Sequence, residues 1–351
     1  MQKRQVPTVP EDEDKDKRFM DSLKKTPIPT PPHPSQRREP LPWQRPKPVE
    51  EDPEAQERIQ AILESPTYRE ADEDVEFLQS GEARGVRLEL DYLKPQLLLN
   101  RHNVERTIVV FGGTRIQEPA AAERKAAKLR EAQVADPHNH ELARRLHVAE
   151  RLVAKSEYYI VAREFGRLVA QNGRRTTTHK LVVVTGGGPG IMEAANRGAY
   201  DIGAETVGLN IHLAHEQYPN PYITPDLCFR FHYFAIRKLH FLLRAKALVA
   251  FPGGYGTLDE IFETLALVQT RKIKPVPVVL VGEHYWRQAF NADFLVEEGV
   301  IDPEDRELFW FAETAEEIWE GIVQWYERSG EPLIPFVPVA ASGPGYVGGH
   351  D

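Results

Sequence analysis

Two glycine-rich segments carry the residues whose types and spacing suit chemistry. TGGGPGIMEAANRGA (185–199) and PGGYGTLDE (252–260) each follow an apolar run and open into a helical pattern. Glycines let the chain turn sharply and bring backbone N–H groups up to an anion with no Cβ in the way, and the following helix adds its positive end. Thr257 adds a hydroxyl donor at the start of the second helix. The spacing predicts a phosphate cradle at Gly253, Gly254, Gly256 and Thr257, with Gly186, Gly187, Gly188 and Gly190 as a second substrate-binding loop. Neither segment has the G-K-[ST] ending of a P-loop, so the cradle would hold its anion without lysine or metal. One such loop is equally well read as a tight strand-to-helix turn; two loops, on strands expected to be neighbours, favour a site. FGGTR (111–115) offers a third wall, although a Gly-Gly turn there needs no ligand.

Two carboxylates follow the second loop. Asp259 suits the positive end of a helix dipole and needs no further role. Glu260 lies one turn past Gly256 and Thr257, placed to reach back to a sugar attached to the bound phosphate. A carboxylate beside C1 of a ribose stabilises an oxocarbenium-like transition state or positions a water, as in glycoside cleavage. Arg237 and Lys238, in FAIRKLHF (234–241), form either a solvated basic face or a fork of donors aimed at the cleft, and spacing alone leaves both open. Glu193 and Asn210 are weaker candidates for contact with ribose or base, and Glu193 equally suits a cap of its own helix.

Other chemistries find no support. Among His179, His212, His215, His232, His240 and His284, only His212 and His215 stand close together, with Glu216 beside them, so no metal site is expected. The single cysteine, Cys228, excludes an internal disulfide and a thiolate-rich site. No lysine flanks either glycine loop, which argues against a pyridoxal-phosphate Schiff base, and GGGPG lacks the G-x-G-x-x-G spacing of a dinucleotide fold. No cofactor is expected. A net charge of −9 without a basic stripe excludes a nucleic-acid groove. The first 30 residues lack a signal-peptide core, and no run approaches the roughly 18 apolar residues that a spanning helix needs, so no membrane partner and a cytoplasmic setting are expected.

These loops need a frame. From Thr107 onward, apolar runs at 107–113, 180–188, 205–211, 247–254 and 276–282 alternate with helical patterns at 190–203, 233–246, 257–271, 284–299 and 314–328. That alternation predicts an α/β fold, a Rossmann-like doubly wound parallel sheet with helices on both faces. Residues 118–172 interrupt it with two helical stretches, an inserted hairpin whose second arm continues as the crossover helix. Twelve of the 28 prolines lie within residues 1–53, mixed with charge runs, which predicts a disordered amino-terminal arm. The expected organisation is that arm, a helical extension over 54–103 that docks on the core or on a partner subunit, the α/β domain over 104–330, and a flexible tail over 331–351.

Taken together the motifs resemble a known family. PGGYGTLDE matches the PGGxGTxxE signature, and FAIRK the Arg-Lys element, of the LONELY GUY (LOG) family of nucleoside 5′-monophosphate phosphoribohydrolases, long mislabelled lysine decarboxylases. VVTGGGPGIMEAANRGA (183–199) and VGLNIHLAHEQYPNPY (207–222) are similar to its longer bacterial branch, and the resemblance spans about Val104 to Tyr326. It implies hydrolysis of the N-glycosidic bond of a purine nucleotide, AMP or a cytokinin riboside monophosphate, to free base and ribose 5-phosphate. Arg237 and Glu260 would be the catalytic pair, Lys238 would contact substrate, and the chain would form a homo-oligomer of two or more subunits. Leu239 stands where many plant members have Met, and IMEAAN where they have Leu-Met-Gly, which favours a general nucleotide substrate over a cytokinin. The alternative is a carrier of nucleotide or molybdenum cofactor, similar in fold, which would need the cradle but not the Arg–Glu pair.

Overall fold

The structure, a computed structural model, describes residues 29–37, 39–173, 180–214 and 218–333. Most of the expected arm, nearly all of the expected tail, and His179, His215 and Glu216 lie outside the described residues. The chain divides into two compact units, Met1–Val75 and Glu76–Asp351. The first carries a 3-10 turn at Pro42–Gln44, helix α1 (Ala55–Leu63) and a second 3-10 turn at Pro66–Tyr68. Arg58 binds back onto Glu54 at 2.9 Å, an i, i+4 pair on the first turn of α1. Helix α2 (Val75–Gln79) runs across the boundary.

The second unit begins with α3 (Arg84–Arg101), which packs on the sheet unit, and continues as β1 (Val104–Phe111). Three helices follow: α4 (Pro119–Ala135), α5 (His140–Lys155) and α6 (Glu157–Gly173). Then come β2 (Lys180–Thr185), α7 (Ile191–Tyr200), β3 (Thr206–Ile211) and β4 (Cys228–Phe231). The chain continues through α8 (Phe234–Leu243), β5 (Ala245–Ala250), α9 (Tyr255–Gln269) and β6 (Val278–Val281). It closes with α10 (Glu283–Ala289), α11 (Ala292–Glu297), β7 (Trp310–Ala312) and α12 (Ala315–Ser329).

Seven described strands form one parallel sheet in the order β4-β3-β2-β1-β5-β6-β7. This is the expected doubly wound α/β fold. From β1 the chain winds one way to β4, then α8 carries it back to β5 on the other side. The point where the winding reverses lies between β1 and β5, where Phe111 pairs with Ala250, and such a point opens a crevice at the carboxyl ends of the strands. The alternation of the strands sorts the core into two layers. Ile108, Val110, Val183, Val249 and Val281 face α6, α7 and α12, while Val109, Phe111, Val184, Leu248 and Leu280 face α3, α8, α9 and α10.

Several elements depart from the sequence reading. The expected neighbours β2 and β5 are separated by β1, so the two glycine loops flank a third strand end. β4 and β7 were not anticipated; with four and three residues at the sheet edges, they carry too short a pattern. The insertion holds three helices where two stretches were expected. Its second arm stops where the amide and hydroxyl of Ser156 both donate to the carbonyl of Val153, at 3.0 and 2.6 Å, and restarts as α6. The single helix expected over 284–299 breaks at Asn291, whose side chain accepts from the amide of Phe294 at 3.1 Å and caps a new helix. Among the described residues, no helix is long and apolar enough to cross a membrane.

Candidate active site

The loops after β2, β1 and β5 meet at the carboxyl edge of the sheet. The amide of Gly113 donates to the carbonyl of Pro252 at 2.9 Å, and the amide of Ile191 donates to the carbonyl of Gly113 at 3.3 Å. FGGTR thus couples the two glycine loops, and its glycines answer to that packing.

The GGGPG loop is shaped from inside the protein. Gly187 and Gly190 have φ of 72° and 74°, a region that favours glycine. A Cβ on Gly187 would lie 1.9 Å from Oδ1 of Asn210, and one on Gly190 would lie 2.4 Å from the carbonyl oxygen of Gly113. The buried Asn220 clamps the loop: its amide donates to the carbonyl of Gly187 at 2.9 Å, and its Nδ2 donates to the carbonyl of Gly188 and to Oδ1 of Asn196, both at 3.0 Å. Thr185 completes the network, its hydroxyl donating to Oδ1 of Asn196 at 2.7 Å and accepting from the amide of Gly187 at 3.0 Å. Protein neighbours therefore account for Gly187 and Gly190, while Gly188 contributes a carbonyl that accepts from Asn220. Gly186 faces the cleft, where a Cβ would lie 2.6 Å from Nη2 of Arg237.

The PGGYG loop is the reverse case. A Cβ on Gly254 or Gly256 would meet nothing within 4 Å, so no protein neighbour requires glycine at either position. The amides of Gly254, Tyr255 and Gly256 find no backbone acceptor among the described residues, and the Tyr255 side chain is 92% exposed. Three consecutive donors open to solvent at the start of a 15-residue helix have the geometry that suits an anion. Two side chains support it from behind. Thr257 is buried, with its Oγ1 2.2 Å from where a Cβ on Gly253 would stand. The Tyr285 hydroxyl, from α10, donates to the carbonyl of Gly253.

Beside this cradle stand Arg237 and Glu260. Arg237 is held by its Nε, which donates to the carbonyl of Leu209 at 2.7 Å, and its guanidinium lies 5.1 Å over the ring of Phe241. Burial lowers its pKa, opposed by the nearby charge of Glu260. Glu260 is 6% exposed, and burial pushes its pKa up to about 7 against the pull of Lys238 and Arg237. Neither a hydrogen bond nor an ion pair joins Arg237 to Glu260 among the described residues, so both groups are available to a ligand.

The remaining candidates have protein partners. Lys238 lies 2.9 Å from Asp259 and 2.9 Å from Glu263, fastening α8 to α9 on either side of Glu260. Glu193 accepts from the Tyr159 hydroxyl at 2.8 Å on the α6 side of α7, and Asn210 abuts Gly187. His212 pairs with Arg230 at 2.9 Å and stacks parallel to His232. No cluster of three metal-ligating side chains occurs among the described residues.

Sequence reasoning missed three supports. Tyr285, on α10, and Asn220, in the loop after β3, act from far along the chain, and nothing in their local sequence marks them. Asp91, on α3, accepts from the amides of His232 and Tyr233, both at 2.8 Å, and so pins the turn that leads into α8, the helix that bears Arg237. The arrangement suits a phosphate bound by its free oxygens, with a carboxyl group of pKa near neutrality and a guanidinium set beside whatever the ester oxygen carries.

A family model described as "Possible lysine decarboxylase" matches residues 192–322. The probable cytokinin riboside 5′-monophosphate phosphoribohydrolase LOGL3 of Oryza sativa subsp. japonica is 28% identical over 180 residues, covering 48% of this chain and 76% of that protein. The corresponding LOGL6 of the same plant is 30% identical over 190 residues, 52% of this chain and 70% of that protein. Cytokinin riboside 5′-monophosphate phosphoribohydrolase LOG5 of Arabidopsis thaliana is 29% identical over 149 residues, 40% of this chain and 62% of that protein. With the PGGxGTxxE loop, the Arg-Lys element and these extended similarities in one sheet frame, the chain belongs to the LONELY GUY family.

Proposed function

We propose that the protein hydrolyses the N-glycosidic bond of nucleoside 5′-monophosphates, with AMP or a cytokinin riboside monophosphate as substrate, to free base and ribose 5-phosphate. The observation that carries this reading is the pairing of an open amide cradle at Gly254–Gly256 with a buried carboxyl group of pKa about 7 on the same helix. The names of the relatives, which specify phosphoribohydrolases of a riboside 5′-monophosphate, support the same class.

The 5′-phosphate binds at the three open amides, supplying binding energy remote from the bond that breaks. Glu260, ionised, faces the ribose and stabilises positive charge as the C1–N bond lengthens. The electron pair of that bond leaves with the base. Water adds to C1, one of its protons passes to Glu260 or to solvent, and the base gains a proton on departure. Arg237 orients the nucleotide and offsets the negative charge that grows on the leaving base or rests on the phosphate. Both Glu260 oxygens lack a protein hydrogen-bond partner among the described residues, which suits a group that must contact substrate.

The test is base release from AMP, GMP, CMP and isopentenyladenosine monophosphate, with the Glu260→Gln variant alongside. Adenine and ribose 5-phosphate from the wild type, lost in the variant, bear the reading out and rank the bases. Tight AMP binding with no base released from any of the four would replace it with the carrier reading.

A further inference from the structure

The peptide between Gly253 and Gly254 is held from one side. A trans peptide points its carbonyl and its N–H in opposite directions. The carbonyl of Gly253 accepts from the Tyr285 hydroxyl, so the N–H of Gly254 turns away from Tyr285, where it has no backbone acceptor among the described residues. Nothing in the loop itself fixes that orientation. Among the described residues no backbone amide binds the Gly253 carbonyl, and Gly254 has φ −97° and ψ −155°. Reversing the peptide turns φ of residue 254 by about 180°, to a positive value that glycine takes without strain and other residues do not. The glycine that leaves room for a phosphate therefore also lets this peptide turn over, which would present a carbonyl oxygen where the amide stood.

The donor is itself fixed. Tyr285 lies in the first turn of α10, which begins at the end of β6, the strand beside β5. Its amide donates to the carbonyl of Gly282 at 3.0 Å. The next residue, Trp286, is buried; its Nε1 donates to the carbonyl of Val281 at 2.9 Å, and its ring meets that of Tyr285 edge-on at 5.1 Å.

We propose that Tyr285 is a positioning residue for the substrate phosphate: its hydroxyl latches the Gly253–Gly254 peptide and keeps the Gly254 amide directed at the ligand. The inference rests on the proposed binding of a phosphate at that cradle. Turning the peptide over replaces a donor by an oxygen that repels phosphate, so losing the latch weakens ligands that carry a phosphate and spares the nucleoside.

Calorimetric titration of the full chain with AMP, ribose 5-phosphate and adenosine tests it, in the wild type, Tyr285→Phe, Gly254→Ala and the double variant. Phenylalanine keeps the ring and its contact with Trp286, so the variant keeps the fold. Tyr285→Phe is expected to weaken AMP and ribose 5-phosphate about tenfold or more, by the scale of one hydrogen bond to a charged group, and to leave adenosine unchanged. In Gly254→Ala the reversed peptide would need a positive φ at alanine, so adding Tyr285→Phe is expected to weaken AMP by less than about twofold further. A Tyr285→Phe variant that binds AMP as tightly as the wild type, equal weakening of AMP and adenosine, or losses that multiply in the double variant would each overturn the latch and leave the cradle standing. Failure of the wild type to bind either AMP or ribose 5-phosphate would overturn the cradle itself, and the latch with it.

Discussion

Replacing Glu260 by Gln should stabilise the protein at alkaline pH and leave it unchanged at acid pH. Burial raises the Glu260 pKa from 4.5 to about 7, so the folded state penalises the ionised form by about 3 kcal/mol at 1.36 kcal/mol per pH unit. The folded state binds this proton more tightly than the unfolded state does. Its contribution is therefore fully present below pH 4.5 and is lost as pH rises to about 7. Glutamine has nearly the same shape and no charge to bury, so Glu260→Gln escapes that loss. Urea denaturation of both proteins at pH 5, 6, 7 and 8 reads the effect. Groups other than residue 260 titrate alike in the two chains and cancel in the difference. The expected difference in unfolding free energy grows from about 1 kcal/mol or less at pH 5 to about 3 kcal/mol at pH 8, in favour of the variant, by the same proton linkage. The variant should at the same time lose about 100-fold or more in base release, by the scale of removing one charge-stabilising group. A variant less stable at pH 8, or a difference flat across the range, would show that the carboxyl group is not held in a penalised ionised state and would remove the electrostatic basis of the proposed mechanism.

Three further perturbations isolate other parts of the site. Lys238→Met removes the cation that pulls the Glu260 pKa down, so the acid limb of the pH–rate profile should move above pH 7; an unmoved limb contradicts the assignment of that limb to Glu260. Gly254→Ala meets no protein atom within 4 Å and should leave the melting temperature within about 2 °C of the wild type, by the usual scale of surface changes. It should nevertheless weaken nucleoside monophosphate binding about tenfold, through obstruction of the amide cradle, while binding of the nucleoside without its phosphate is unchanged; calorimetric titration separates the two. Asp91→Ala removes the charged acceptor of two amides in the turn just before α8 and should cost about 1–3 kcal/mol of stability, measured by denaturant titration, with activity falling as Arg237 loses its fixed helix.

The outcome for the glycines shows where sequence reading reaches its limit. GGGPG and PGGYG look alike as strings, and both suited a phosphate. In the fold the first is filled by Asn210, Asn220 and Gly113, whereas the second is open at Gly254 and Gly256. Which glycine accommodates a neighbouring protein atom and which leaves room for a ligand depends on residues about 20 to 80 positions away, and no local pattern records that. Lys238 illustrates the same point: the Arg-Lys dipeptide offers two cations, and only the packing of α8 against α9 commits one of them to Asp259 and Glu263.

The sequence alone determined the alternation of buried strands and helices, hence the parallel sheet, because a strand covered on both faces must be apolar throughout and its loops must turn on glycine, asparagine or proline. It also singled out the strand ends as the candidate site, Glu260 by its place in the motif and Arg237 by the family resemblance. Only the tertiary structure decided that β1 stands between the two glycine loops, that Asp91 and Tyr285 support the helix of Arg237 and the loop of Gly253, and that Glu260 is buried enough to hold its proton to about pH 7. Burial and electrostatics are sums over neighbours in space, and those neighbours are fixed only when the chain has folded.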